Sequence, residues 1–282
     1  MAIHSTTLAP ASAGRTADAA SGTWFGLLPA FSLWWREVLR FYRQRARVVG
    51  VILSPLVFWL LIGAGFGNSM RGPGAATGQS YLDYFYPGAL IMIVLFTSIF
   101  TMMSVIEDRK EGFLLSVLTA PVGRSVVVLG KVLGGATLAT AQGLIFLAFA
   151  PLVGVHFTWE RLALIVLVVA LVSFALTALG FAIAWPMDST QAFHAVINLF
   201  MIPLWLISGA LFPLRSAWQA MRWAMLANPL TYGVEALRTL LFPAQPAEFP
   251  LAFSLAMLAG FSAVMFALAF IVANRRTTRP AA

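Results

Sequence analysis

Six stretches of this sequence are long and apolar enough to leave water, and they restrict the chain more than any other feature. They run at about 48–67, 87–106, 126–155, 162–184, 194–212 and 251–273. A helix needs about 20 mostly apolar residues to cross the hydrocarbon core of a bilayer. Hydrocarbon offers no partner to an open backbone, so each run is expected to be helical. Strands of an outer-membrane barrel would alternate apolar and polar residues, and these runs do not. The third run is longer than a bilayer requires, so its start is expected at the interface. The expected fold class is therefore all-α, a polytopic membrane protein with six transmembrane helices.

Composition agrees. Hydrophobic residues make up 60% and charged residues 10% of the 282 residues, where a soluble domain carries roughly 25% charge. Too little polar surface exists for a water-soluble globule, and disorder needs the opposite balance. There is no cysteine, which excludes disulfide scaffolds, thiolate metal sites and cysteine nucleophiles. Residues 1–24 lack a continuous apolar core and do not read as a cleaved signal peptide. They are expected to be a disordered tail, with 25–282 forming a single membrane domain.

Six spans place both termini on one side. Thirteen Lys and Arg residues then fall on that side and five on the other, and the basic side is expected to be cytoplasmic. The net charge of +8 is thus chiefly a topology signal and not the footprint of nucleic acid. The lipid bilayer is the expected surroundings, and a bacterial inner membrane the expected location.

Three segments outside the spans carry pattern. Residues 30–47 place Phe31, Trp34, Trp35, Val38, Phe41 and Tyr42 on one helical face. Arg36, Arg40, Arg43 and Arg47 follow on another, with Glu37 between. Such a helix suits the cytoplasmic interface, either as a plain anchor or as a surface for a docking protein. The segment 107–124 holds the densest charge, Glu107, Asp108, Arg109, Lys110 and Glu111, then Gly112. It continues with Phe113, Leu114, Leu115, Val117 and Leu118, and closes on Pro121 and Arg124. It is too short to span, and Gly112 and Pro121 bound a short surface helix. A solvated loop would not carry five large apolar side chains, so a partner surface is expected. The region 213–250 contains two helix-sized pieces separated by Asn228-Pro229. They are expected to be interfacial or re-entrant, with Trp218 and Tyr232 at headgroup level, forming an outer cap that is either a gate or inert packing.

Reactive constellations are missing. Gly130-Lys131 is followed by Val132, and Ser125 stands where a P-loop would need glycine, so no nucleotide cradle exists. His4, His156 and His194 are isolated, and no catalytic site, cofactor site or metal-ligand spacing is present. No acidic residue lies clearly at mid-membrane, as ion-driven carriers usually require. Energy for any transport is expected from another polypeptide. Gln142 and Asn198 are the costliest polar residues inside the spans, read as helix–helix glue or as a weakly polar path. Gly63/Gly67 and Gly130/Gly134 permit close helix approach. Lys131 would cost about 2.5–3.5 kcal/mol at mid-membrane and is expected to snorkel to the cytoplasmic edge.

The stretch RKEGFLLSVLTAPVGRSVVVLGK, residues 109–131, resembles the signature of permease subunits of ABC exporters of the second type. The matching parts are Lys110-Glu111-Gly112, Pro121-Val122-Gly123-Arg124 and Gly130-Lys131. Phe113-Leu114-Leu115 departs from the Thr-Leu-Glu often found there, and a carboxylate is lost. Asn228-Pro229 with Gly233, Val234, Glu235, Ala236, Leu237 and Arg238 looks like the family's motif before the last span. The resemblance implies that residues 107–120 are a coupling helix seated in a separate ATPase subunit, with 30–47 an interface helix beside it and 213–245 an outer cap. It implies two permeases and two ATPases, with ATP and Mg bound by the ATPases and not by this chain. It implies substrate passage between the copies along the first, second and fifth spans. Export of an amphipathic drug or lipid-like molecule, export of a glycolipid or polysaccharide, an integral membrane lipid-modifying enzyme and a non-catalytic scaffold all remain open here.

Overall fold

The computed structural model describes residues 24–43, 45–66, 80–119, 122–155 and 157–275. Residues 1–23 of the expected disordered tail and Pro121 lie outside the described residues, and Trp24, the last residue of that tail, opens a helix. All regular structure in the described residues is helical: α1 (Trp24–Arg43), α2 (Arg45–Phe66), α3 (Tyr81–Thr101), α4 (Met103–Lys110), α5 (Phe113–Thr119), α6 (Arg124–Leu147), α7 (Trp159–Ala184), α8 (Thr190–Trp205), α9 (Gln219–Ala227), α10 (Pro229–Leu241) and α11 (Leu251–Asn274). Among the described residues, five helical stretches are long and apolar enough to cross a membrane: Tyr81–Lys110, Arg124–Leu147, Trp159–Ala184, Thr190–Ala210 and Leu251–Asn274. The apolar α2 has 22 residues, or roughly 33 Å at 1.5 Å per residue, the length needed for a sixth span.

Local chemistry sets the boundaries. α3 begins six residues before the apolar run does, because Ser80 and Asp83 form a reciprocal cap. The Asp83 amide donates to Ser80 Oγ at 3.3 Å, and the Ser80 amide donates to Asp83 Oδ2 at 3.1 Å. Two of the four orphan amides at the helix start are thereby satisfied. The same rod continues through α4 to Lys110, giving 30 residues. The long third run keeps its start at Arg124 and loses its end: α6 stops at Leu147, and Ala150–Val153 forms a 3-10 turn containing Pro151. α8 gives way to a π turn at Leu206–Ala210, where Gly209 has φ +80°. Only glycine adopts that backbone readily.

α3 is the central element, with 17 of its 21 residues buried. α2, α6, α7 and α10 pack around it, and α11 lies outside against α7 and α10. The peripheral α11 buries only Ser254, Leu258, Ser262, Ala269 and Ala273. Exposed apolar side chains such as Leu61, Leu199, Phe200, Val264 and Ile271 face outward on α2, α8 and α11, as lipid-facing or subunit-facing surfaces require.

Two bundle ends are distinguishable. At one, α1, α4, α5, the start of α6, the α7–α8 turn and the end of α11 meet. Arg109 at the end of α4 donates to Met187 O and to Asp188 Oδ1, each at 3.0 Å, and to Trp185 O. Arg124 donates to Ala273 O at 3.0 Å. The opposite end holds the start of α3, the Gly209 break, α9 and α10.

Candidate functional site

α1 is held by its neighbour and does more than float at the interface. It packs along α6, burying Ala30, Leu33 and Phe41. Burying a large apolar side chain is worth about 1.5–3 kcal/mol. Gly130 and Gly134 make the seat: a Cβ on Gly130 would come within 2.8 Å of Leu33 Cβ, and one on Gly134 within 2.7 Å of Glu37 Cβ. Trp34 Nε1 donates to Thr137 Oγ1 at 3.0 Å, while Trp35 and Arg43 are exposed.

Between these two glycines Lys131 points into a buried ionic cluster, and this corrects the expectation that it snorkels to the edge. Lys131 is 1% exposed, Glu37 2% and Asp108 0%. They come from α6, α1 and α4. The Lys131 ammonium donates to Glu37 Oε1 and to Asp108 Oδ2, and to Ser104 Oγ at 3.1 Å. Ser104 in turn donates to Glu37 Oε2 at 2.7 Å. Arg36 grips Asp108 with both terminal nitrogens, at 2.8 and 2.7 Å. Arg40 donates to Asp108 Oδ1 at 2.6 Å and to Glu107 Oε2 at 2.8 Å, and reaches Glu111 at 3.5 Å. Asp108 thus receives four donors, the full capacity of a carboxylate. The hydrogen bonds that Arg36 donates to Asp108 hold the pKa of its guanidinium above the ordinary value. Burial of these charges is tolerable only because each has counter-charges and hydrogen bonds.

About one turn of helix separates Asp108 from the elbow. α4 ends at Lys110, and Gly112 takes φ +76°, the left-handed conformation that lets the chain turn sharply into α5. Phe113 opens α5 beneath the Arg36 guanidinium, 3.6 Å from carbon to ring centroid, a cation–π contact. Leu114 is buried, and Phe113, Val117 and Leu118 pack partly against the core. Leu115 instead is 68% exposed, beside exposed Ser116 and Thr119 and near exposed Lys110 and Glu111. The five apolar side chains of this segment therefore divide: four look inward and one outward.

At the opposite end the two helices expected to be interfacial or re-entrant differ, one lying at the surface and one inside the bundle. α9 does lie outside, with Trp218 80% and Trp223 67% exposed. α10 is buried at 11 of 13 residues, Tyr232, Glu235 and Arg238 included. Asn228 caps it, accepting the Leu230 amide at 3.0 Å, with Pro229 at the first helical position. Its amide group also donates to Leu204 O at 2.6 Å. Glu235 and Arg238 neutralise each other at 3.1 Å. Glu235 accepts the Glu248 amide at 2.7 Å, and Arg238 donates to Gly209 O at 2.9 Å. Tyr84 donates to the same Gly209 oxygen at 3.1 Å, and its ring lies 4.4 Å from Arg238. Tyr232 donates to Leu226 O instead of reaching headgroups. α10 enters the bundle with its ionic pair matched in charge and further hydrogen-bonded to the Glu248 amide and Gly209 O, although Arg238 Nε is left without a hydrogen-bond partner.

Between α2, α3 and α8 lies an apolar groove of about 690 Å³, lined by Val57, Phe58, Leu61, Met92, Phe96, Phe100, Ile202 and Trp205 among others. Phe58 and Trp205 meet edge to face at 6.1 Å, and Phe96 and Phe100 stack at 5.6 Å. Trp205 Nε1 is already committed to Gly88 O at 2.9 Å. Among the described residues no group of three His, Asp or Glu side chains is placed to hold a metal ion.

Residues 30–242 match the family described as ABC-2 type transporter. The chain belongs to that family. A putative transport permease, ycf38, of Cyanophora paradoxa is 26% identical over 222 residues, covering 77% of this chain and 76% of the relative. Nodulation protein J of Rhizobium meliloti (strain 1021) is 24% identical over 213 residues, covering 74% and 80%. The daunorubicin resistance ABC transporter permease protein DrrB1 of Streptomyces coeruleorubidus is 25% identical over 100 residues, covering 36% and 34%. The ABC-2 match runs from within α1 to the end of α10, so it covers the elements of both bundle ends except the end of α11. This family member is an integral multi-pass membrane protein, and the family is one of transporter permeases rather than of enzymes.

Sequence reasoning found the elbow and α1 in this ABC-2 chain but missed Lys131 and Ser104 as their partners. The cost of a lysine one helical third into a span, together with two unexplained carboxylates at Glu37 and Asp108, was the available signal.

Proposed function

We propose that the protein is the membrane-spanning subunit of an ATP-driven exporter that moves amphipathic, drug-like or lipid-like molecules, powered by a separate ATPase seated on α5. The observation that carries this reading is the α3–α4 rod. Its middle lines the apolar groove through Met92, Phe96 and Phe100, and one end leads to Gly112 and the outward-facing Leu115. A partner gripping Leu115, Glu111 and Lys110 would therefore act on the wall of the groove through a single rigid element. ATP and Mg belong to that partner in this reading. The end bearing α1 and α5 is cytoplasmic, as are both termini, and the membrane is a bacterial inner membrane. A second copy of the chain completes the path, with the groove of α2, α3 and α8, the first, second and fifth spans, as its wall.

The chemistry of the groove favours one cargo class over another. Four aromatic rings line it, which suits either an aromatic drug or a sugar. A sugar also needs hydrogen-bond partners, and among the described residues the lining side chains offer only Trp205 Nε1, which Gly88 already occupies. An apolar or aromatic moiety fits better than a glycan. The relative named for daunorubicin resistance supports the drug-like class, and its namesake is a usable probe.

The test is reconstitution with the ATPase that co-purifies from native membranes. ATP should drive daunorubicin across the vesicle membrane only when both chains are present, and Leu115→Asp should abolish that movement. Nucleotide hydrolysis or pumping by this chain alone would overturn the reading.

A further inference from the structure

The buried ionic cluster has no role in holding cargo or nucleotide, yet it ties together three helices that the proposed function requires to move. Lys131 sits on α6, Glu37 on α1 and Asp108 on α4, each at most 2% exposed. Asp108 lies four residues from Gly112, or roughly 6 Å of helix, so a displacement of α5 is delivered almost directly onto it. Arg36 closes the connection on the other side, binding Asp108 through both terminal nitrogens and covering the Phe113 ring of α5. Lys131 is the only member contributed by α6. Without it Glu37 keeps the Ser104 hydroxyl and a distant Arg36 nitrogen at 3.9 Å, and α6 loses its ionic tie to α4, keeping its chain connection to α5 and the Trp34–Thr137 hydrogen bond to α1.

We propose that Lys131 is the positioning residue that makes α1, the α4–α5 elbow and α6 move as one body, so that nucleotide-driven motion at the elbow reaches the groove. This rests on the reading that an ATPase seats on α5. Packing alone does not require a cation here: a helix start can be buried with apolar residues at less cost than with an ion pair. The geometry spends three charges where a core needs none, and spends them between the elbow and the two helices flanking it.

The absence of cysteine makes a direct test possible. Leu61→Cys places one thiol in the groove lining, and a small maleimide reports its accessibility in the complex with the ATPase, with and without ATP plus vanadate. In the otherwise unaltered chain the labelling rate should respond to nucleotide. Lys131→Met should retain ATP hydrolysis while losing at least about fivefold of that response, the lower range of allosteric coupling, and Lys131→Arg should restore most of it. An unchanged response in Lys131→Met overturns the proposal. If Lys131→Met fails to assemble or loses hydrolysis as well, Glu37→Gln decides, since it keeps volume and hydrogen bonding. A reduced response with retained hydrolysis supports the proposal, and an unchanged one overturns it. Leu115→Asp separates this from the underlying reading. If the ATPase does not act through α5, that variant leaves the response intact. If only the role of Lys131 is wrong, Leu115→Asp abolishes the response and Lys131→Met does not.

Discussion

A Cβ added to Gly130 would stand 2.8 Å from the carbonyl oxygen of Ala30, so α6 receives the backbone of α1 where glycine leaves room. Gly130→Val should therefore push α1 away and cost about 1–3 kcal/mol, the usual penalty of overpacking. Gly260 on α11 is the control, because nothing lies within 4 Å of its added Cβ. Gly260→Ala should raise stability by about 0.5–1 kcal/mol through helix propensity. Thermal unfolding of the solubilised protein reads both, and an unshifted midpoint for Gly130→Val would show that α1 is not seated there.

Leu115 and Glu111 are exposed at the elbow and make few contacts within the chain, so changing them should spare insertion. Leu115→Asp or Glu111→Arg should lower ATPase stimulation by the reconstituted permease at least about tenfold, the effect of about 1.4 kcal/mol at a contact. Expression and melting midpoint should stay unchanged. Full stimulation in both variants would exclude this surface as the ATPase contact.

Arg238 and Glu235 are paired inside the opposite end. Arg238→Met strands the Glu235 carboxylate and removes a donor from Gly209 O, which should cost about 3–5 kcal/mol. The double variant Glu235→Leu with Arg238→Leu should recover at least half of that loss, since no uncompensated charge remains. The comparison of the two midpoints checks it. Equal losses would mean that the Gly209 contact, and not the ion pair, carries the effect.

Ser80 caps the start of the α3–α4 rod and Ser116 lies on α5 just past its other end, both exposed. Cysteines at these two positions should react with a membrane-impermeant maleimide from opposite sides of intact vesicles. Labelling of both from one side would contradict the expected orientation of the spans.

The spans were legible because hydrocarbon imposes a length and a composition that survive in any sequence. The elbow was legible because apolar residues beside a charge run have nowhere cheap to go. What faces what was not. The spacing of Arg36 and Arg40 describes a polar stripe equally well whether headgroups or Asp108 lie opposite, and only the packing of α1 on α6 decides between them. Lys131 looked like an interfacial residue because its counter-ions come from positions 37 and 108, far away in the chain. α10 is too short to cross a membrane, which leaves an interfacial and a re-entrant placement equally open; the pairing of Glu235 with Arg238 three residues on lets the helix sit inside the bundle. The Gly209 break left no trace beyond a glycine in an apolar run, since many such runs carry one unbroken.

The cluster around Lys131 also bears on how the chain is made. Arg36, Glu37, Arg40, Ser104 and Asp108 all precede it. Every partner of the Lys131 ammonium is therefore synthesised before it. A chain ending short of α6 carries Glu37 with no ammonium beside it, leaving that carboxylate the Ser104 hydroxyl and an Arg36 nitrogen at 3.9 Å.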